Sequence, residues 1–433
     1  MAMKKMKFST DKKFAKSLDV KDPLKVFRKQ FLIPGKGKKS QIYFCGNSLG
    51  LQPVTAKKYI ETELKSWAEL AVEGHFRGPN PWADYHKLFR KPLAALCGAL
   101  PEEVVAMNSL TANLHFLLVS FYWPREKRVK ILTEAGSFSS DIYALTSQIE
   151  IRGFNPEECL VEVGPREGEF AIRDEDIISK IEELGDELAL VMMSGVNYYT
   201  GQAFDMEAIA EAAHNVGAYV GFDLAHAIGN IPLHLHEWQV DFATWCSYKY
   251  LNAGPGGTAG LFVHSENFHM PRFAGWWGND EKERFLMKRE YEPAIGAEGW
   301  QLSNAPVLSM AALKASLDIF QKAGLKKIFK KSEQLTAYLE YLIKIKCTPG
   351  PKEKPYKIKI ITPTESNRRG AQLSIYFIKG DGKKLVQQLG KEGFILDWRS
   401  PNVLRVSPAP LYNTYTEVYT FVERLADFCE YIQ

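Results

Sequence analysis

Several residues of different chemical type stand at the ends of apolar runs in this chain. Asp223 closes "AYVGFD" (218–223), with His226 three residues on, and Ser194 closes "ALVMMS" (189–194). Lys249 lies in "SYKYLNAGPGG" (247–257), just after the apolar stretch Phe242–Cys246. A lysine flanked by Tyr248 and Tyr250 at the end of a buried strand is in a setting that a surface lysine does not need. An amine that must lose its proton and attack a carbonyl does need it, because burial depresses an amine's pKa. Two more segments add hydroxyls and an aromatic ring. "NSLTANLHFLL" puts Ser109, Leu110 and Thr111 at the start of an apolar helix, a place suited to a phosphate. "GSFSSD" (136–141) carries Phe138 and Asp141.

Taken singly, these positions read as a helix cap beside a core histidine, a loop lysine, a turn serine and a plain turn. Together they are the parts that hold pyridoxal 5′-phosphate. The lysine forms a Schiff base with the aldehyde. The carboxylate pairs with the pyridinium nitrogen and keeps it protonated, so that the ring acts as an electron sink. The helix N-terminus takes the phosphate, and the aromatic side chain covers the ring face. A strand-end Asp followed at a distance by a strand-end Lys is the order of aminotransferase-type pyridoxal enzymes.

The elements that must position these groups follow from periodicity. "ALVMMSG" reads as a buried strand. Asp205 then caps a helix with Ile209, Ala213 and Val216 on one face, Gly217 ends it, and "AYVGFD" is the next strand. Strand, helix, strand in that order predicts a βαβ unit and a mainly parallel sheet, with ligands at the carboxyl ends of its strands. "VKILTEAG" (129–136) is a further strand. The expected organisation is a Lys-rich arm over residues 1–40, a large α/β domain over 41–330, and a long helical segment over about 307–344. A small α+β domain over 340–433 follows, built on "YKIKIIT", "AQLSIYFI", "FILDW" and "VLRVS" as strands. "TPGPKEKP" (348–355) is the linker candidate.

With 433 residues, 45% hydrophobic and 24% charged, the chain has the composition of a soluble globular protein of two or three domains. A net charge of +4 gives no support to a nucleic-acid or membrane partner, and no apolar run reaches membrane-spanning length. The basic N-terminus lacks the apolar stretch of a signal peptide. Six widely spaced cysteines without a C-x-x-C pair predict a reduced, cytoplasmic protein with no zinc site.

The motifs "GNSLGLQP" (46–53), "SGVNYYTGQ" (194–202), "DLAHAIGN" (223–230), "CSYKYLNAGPGG" (246–257), "GWWG" (275–278), "LSNAP" (302–306) and "LRVSPAPLYN" (404–413) resemble those of the kynureninase family, in order, over nearly the whole chain. The resemblance implies a pyridoxal phosphate enzyme of aminotransferase fold type, working as a homodimer. It would hydrolyse L-kynurenine, or its 3-hydroxy form, to anthranilate or 3-hydroxyanthranilate plus L-alanine, within tryptophan degradation and NAD biosynthesis.

It also implies residue roles. Lys249 would carry the cofactor and act as the base, with Tyr248 as a proton relay. Asp223 would hold the ring nitrogen with support from His226, and Phe138 would stack on the ring. Leu110, Thr111, Asp141, Ser194 and Tyr248 would complete the shell. Trp276 and Asn304 would reach the cofactor from a subunit interface. Arg405 would take the substrate α-carboxylate, and Asn47, Ser48, His75, Ser303 and Asn304 would line the substrate pocket. No metal is needed. The rival readings are another enzyme of the same fold, such as a cysteine desulfurase or transaminase, and a pyridoxal-binding regulator. A desulfurase needs a loop cysteine after the lysine, where the sequence offers only Cys347 and Cys429. A regulator needs a DNA-binding module that is not evident.

Overall fold

The computed structural model describes residues 7–36, 39–347 and 357–430. Seven strands form the sheet that carries the strand-end residues: β1 (Val104–Ala106), β2 (Lys130–Glu134), β3 (Leu160–Val163), β4 (Leu188–Ser194), β5 (Tyr219–Asp223), β6 (Phe242–Trp245) and β7 (Gly260–Val263). Their order is β1-β7-β6-β5-β4-β2-β3. The run from β6 to β3 is parallel throughout, and β7 lies antiparallel to both its neighbours. The central strands read as unbroken apolar runs because helices cover both faces of a parallel sheet; in β4 every residue before Ser194 is buried.

The predicted βαβ unit is present. Between β4 and β5 runs a helix, Met206–Asn215, whose N-cap Asp205 accepts from Ala208 N at 3.1 Å. Asp241 fastens the next crossing, accepting from Val220 N at 2.8 Å and from Asn267 Nδ2 at 2.8 Å. The core on one face joins helix Leu110–Phe121 to the sheet, with the Phe121 ring stacked on Phe242 at 4.6 Å. One expectation needs correcting. β6 ends at Trp245, so Lys249 stands four residues beyond the strand, in a turn. The chain reverses there through Asn252, Gly254 and Gly256, all at positive φ (51°, 85° and 64°), which is why the segment is so rich in glycine.

This sheet belongs to one of two compact units, Thr55–Tyr198 with Ala203–Asp318. The other unit takes the remaining described residues: those up to Val54, Tyr199–Gln202, and those from Ile319 onward. Its four-stranded antiparallel sheet, in the order β8-β9-β11-β10, consists of β8 (Lys357–Ile360), β9 (Leu373–Lys379), β10 (Asp397–Arg399) and β11 (Val403–Val406). The core sets that sheet against Leu335, Leu339 and Leu342 of helix Leu325–Lys346 and Val418, Phe421 and Leu425 of helix Tyr415–Glu430.

Three details differ from the expected organisation. The N-terminal segment is built into this unit: Ala15 is fully buried, and Asp19 caps helix Tyr415–Glu430 by accepting from Tyr415 N (2.7 Å) and Thr416 N (3.1 Å). The helical segment at 307–344 is two helices, Val307–Ala323 and Leu325–Lys346, broken at Gly324 with φ +81°. "FILDW" is split: Phe394–Ile395 pairs with Ile42–Tyr43, while Asp397 begins β10. The linker candidate at 348–355 falls outside the described residues. Among the described residues no helix is long and apolar enough to cross a membrane.

Candidate active site

Ser194 and Asp223 are the last residues of β4 and β5, and they are register partners. A cleft opens beside them. It brings together Leu110, Thr111, Phe138, Asp141, Ser194, Asp223, His226, Tyr248 and Lys249. Each arrives by a simple device. Leu110 and Thr111 start helix Leu110–Phe121, Phe138 is the N-cap of helix Ser139–Ile151, and Asp141 sits in that helix's first turn. Thr111 Oγ1 and Ser140 Oγ lie 2.8 Å apart, so two helix starts meet with their hydroxyls side by side.

The floor of the cleft is acidic. Asp141 and Asp223 are both buried and hydrogen-bonded to each other. Burial pushes both carboxyls above their usual range. The Asp223 charge raises Asp141 further, while the lysine beside Asp223 works the other way. Asp223 also accepts from Ala225 N at 2.6 Å. Lys249 Nζ stands 3.0 Å from His226 Nε2, 5.9 Å from the Phe138 ring centre and 6.0 Å from that of Tyr248. Burial, then the neighbouring Cys246, pushes the Tyr248 phenol well above its ordinary value, so Tyr248 enters any proton transfer as a neutral donor.

These residues fit pyridoxal phosphate. Asp141 Oδ1 is buried with no hydrogen-bond partner among the described residues, beside a second carboxyl. Such a floor calls for a cation with an N–H, which a pyridinium supplies. The paired hydroxyls and helix starts suit a phosphate. Phe138 presents a partly exposed ring, braced edge-on by Tyr198 at 5.4 Å.

The other expected site residues lie elsewhere. Trp276, Ser303 and Asn304 are exposed and do not line this cleft. Trp276 Nε1 donates to Arg284 O at 2.9 Å. His75 is half-buried, its ring edge-on to Trp82 at 5.4 Å. Arg405, Asn47 and Ser48 belong to the other unit. Asn47 is fully buried, donates to Gln372 Oε1 at 2.9 Å, and has no partner for Oδ1 among the described residues. Ser48 N donates to Cys45 O at 2.8 Å.

Sequence reasoning missed Glu134, Ser140 and Tyr198. Glu134 is buried and accepts from Ser194 Oγ at 2.5 Å and Ser194 N at 3.1 Å. It therefore spends the serine's only hydroxyl proton, and Ser194 faces the cleft as an acceptor. Glu134 ends β2, so the strand-end rule that singled out Ser194 and Asp223 points to it as well. Glu103, His236 and His264 also lie together in this unit. Both Glu103 oxygens accept backbone N–H groups, from Leu100 at 2.8 Å and Ser265 at 2.9 Å. The two rings stack within 9° of parallel, so their in-plane lone pairs do not converge on one point.

A family model described as "Kynureninase C-terminal domain" matches residues 328–425, and one for the DegT/DnrJ/EryC1/StrS aminotransferase family matches residues 78–236. Curated kynureninases are similar over nearly their full length. That of Flavobacterium psychrophilum is 50% identical, covering 96% of this chain and 97% of its own. That of Koribacter versatilis is 51% identical with the same coverage, and that of Nematostella vectensis 48%, covering 96% and 93%. Among solved structures, a C-DES mutant with glycine covalently linked to its PLP cofactor superposes with TM-score 0.74 at 19% identity, covering 93% of this chain and 99% of that one. The cysteine desulfurase CsdA from Escherichia coli gives 0.73 at 17%, covering 94% and 98%. Those two likenesses establish the fold, that of pyridoxal enzymes with a mostly parallel central sheet. The long, high-identity matches establish more: this chain belongs to the kynureninase family.

Proposed function

We propose that the cleft hydrolyses L-kynurenine and 3-hydroxy-L-kynurenine to the aromatic amino acid and L-alanine, with the residues above in specific roles. The chain is a pyridoxal phosphate enzyme. When bound, that group supplies an electron sink for the bonds around the substrate Cα. Thr111, Ser140 and the N–H groups of two helix starts bind the phosphate. Asp223 and Asp141 hold a proton at the ring nitrogen, and Phe138 covers the ring. Lys249 Nζ anchors the cofactor and takes the Cα proton. His226 orients that amine by accepting from it. Tyr248, neutral and beside the lysine, returns a proton to the β-carbon of the alanyl fragment. Water adds to the aryl ketone, and collapse of the resulting gem-diol releases the aromatic acid. Arg405 takes the α-carboxylate.

The observation that carries this reading is Lys249 Nζ in one cleft with the Phe138 ring, 5.9 Å away, and with two buried carboxyls, Asp141 and Asp223. Anthranilate fluorescence and alanine release from purified protein with L-kynurenine test it; intact substrate would refute it. The desulfurase alternative lacks support, since Cys347 is buried at the end of helix Leu325–Lys346 rather than on an open loop.

A homodimer belongs to this proposal. Phe76, Phe285 and Trp276 form an exposed chain of edge-on rings, 5.9 and 5.7 Å apart. Exposed apolar patches of this kind mark interfaces. Light scattering should give twice the chain mass. A cytoplasmic location is consistent with the buried, thiol-bearing cysteines.

By family resemblance the aryl pocket is polar, with His75, Ser303 and Asn304 meeting a ring hydroxyl only across the proposed dimer, since within one chain they do not line the cleft. The expected result is a preference for 3-hydroxykynurenine over kynurenine on the order of 10-fold. It is far below the roughly 10⁴–10⁵ of a site built wholly around a hydroxyl, because water can replace the missing group. His75→Phe should erode or reverse the preference with the cofactor spectrum intact. A wild type favouring kynurenine, or an unchanged kcat/KM ratio in the variant, would sink the idea.

A further inference from the structure

Glu134 ends β2 and is only 1% exposed, and it does not itself line the cleft. It acts on the cleft through Ser194, at the end of β4. Ser194 N donates to both carboxyl oxygens, at 3.2 and 3.1 Å, and Ser194 Oγ donates to Oε1 at 2.5 Å. The Glu134 carbonyl serves a second segment. It accepts from Ser137 N at 3.2 Å and from Ser137 Oγ at 2.8 Å, in the turn that delivers Phe138. One buried acid is thus tied to two of the segments that line the cleft.

A serine hydroxyl has one proton and two lone pairs. With the proton committed to Glu134, Ser194 has only lone pairs for the cleft, which it lines together with its register partner Asp223. The electrostatics have the same sense. Burial and Asp223, and after them the Glu134 charge, hold the Asp141 carboxyl above its ordinary range, so protons are retained on this side of the cleft. Burial pushes the Glu134 carboxyl up as well, and the Ser194 hydroxyl pulls it back by favouring the charged form. A neutral Glu134 would reverse the arrangement. Its own proton would go to Ser194 Oγ, and the serine would turn its hydroxyl into the cleft.

We propose that Glu134 is a positioning residue for the cofactor: it holds the Ser194 hydroxyl proton, so that Ser194 meets pyridoxal phosphate as an acceptor and binds a group of it that carries a proton. The inference rests on the reading of Ser194 as a cofactor-binding residue.

The probe is pyridoxal phosphate itself. Holoenzyme and variants are dialysed against graded concentrations, and the bound cofactor is read by its absorbance. Glutamine has nearly the shape of the acid but can donate to Ser194 Oγ, so it imitates the neutral form. Glu134→Gln should raise the cofactor dissociation constant about 3- to 10-fold, the size of one lost hydrogen bond. Ser194→Ala should raise it by a similar factor. The double variant should lie within about two-fold of either single one, because Glu134 acts through Ser194; independent contributions would multiply. Glu134→Asp withdraws the carboxylate from Ser194 by one methylene, and it takes the place of glutamine in the cycle, with the same expected result, if the glutamine variant does not fold. An unchanged dissociation constant in the folded glutamine variant, or effects that multiply in the double variant, would make Glu134 a structural anchor between strands and overturn the positioning role alone. An unchanged constant in Ser194→Ala would overturn the reading of Ser194 beneath it, and the proposal with it.

Discussion

Replacing Lys249 with alanine is expected to abolish turnover while the protein still takes up pyridoxal phosphate. The two effects separate because the cleft spreads its contacts. The Thr111–Ser140 hydroxyl pair, the Asp141–Asp223 floor and the Phe138 ring do not depend on the lysine for their positions. Lys249 alone places an amine among them, 3.0 Å from His226 Nε2. General acid–base catalysis contributes about 10²–10⁴-fold by itself, and the loss of the cofactor's attachment point adds to that. Activity should therefore fall by at least about 10³-fold, toward the limit of anthranilate fluorescence. In the wild type, borohydride should fix the cofactor to a single lysine. Peptide mapping of that adduct to any lysine but Lys249, or near-normal turnover by the variant, would overturn the assignment.

The rule that ligands gather at the carboxyl ends of parallel strands made much of this cleft legible. Asp223 and Ser194 end buried apolar runs, and the structure sets them in register on adjacent strands. Glu134 ends a strand of the same sheet and obeys the same rule, yet as a lone acid after "KILT" it carries no chemical partner in the sequence. Its meaning comes from Ser194, sixty residues away. Lys249 was legible as special, but not as a loop residue, because an apolar run continues past the last hydrogen-bonded position of its strand. In the N-terminal segment the helix Lys12–Lys21 is mostly polar, and a single buried alanine with one capping aspartate gives no periodicity to read. The pair Asp397–Arg405 is set by strand register, which a sequence does not display. His75, Trp276 and Asn304 came from the family resemblance alone, and within one chain they do not line the cleft.

Arg405→Ala is expected to weaken substrate use by about 30-fold to several thousand-fold, from the roughly 2–5 kcal/mol lost when one partner of a buried, hydrogen-bonded charge pair is truncated. The structure bears on whether such a variant still folds. Breaking a buried ion pair commonly destabilises by about 3–5 kcal/mol, because the surviving charge is left bare. Here the survivor is Asp397, which keeps Arg399 Nε at 3.2 Å and retains some access to solvent. The penalty should accordingly be smaller, and the variant should remain folded with its cofactor spectrum intact. Arg405→Lys should recover only part of the loss. An ammonium is a point charge, so it cannot pair a carboxylate along a planar edge as the guanidinium does. Measured as kcat/KM for L-kynurenine, the expected order is wild type, then lysine, then alanine. The alanine variant should bind L-alanine poorly and kynuramine, the substrate skeleton without its α-carboxylate, almost normally. Near-normal kcat/KM in the alanine variant would rule out Arg405 as the carboxylate's partner.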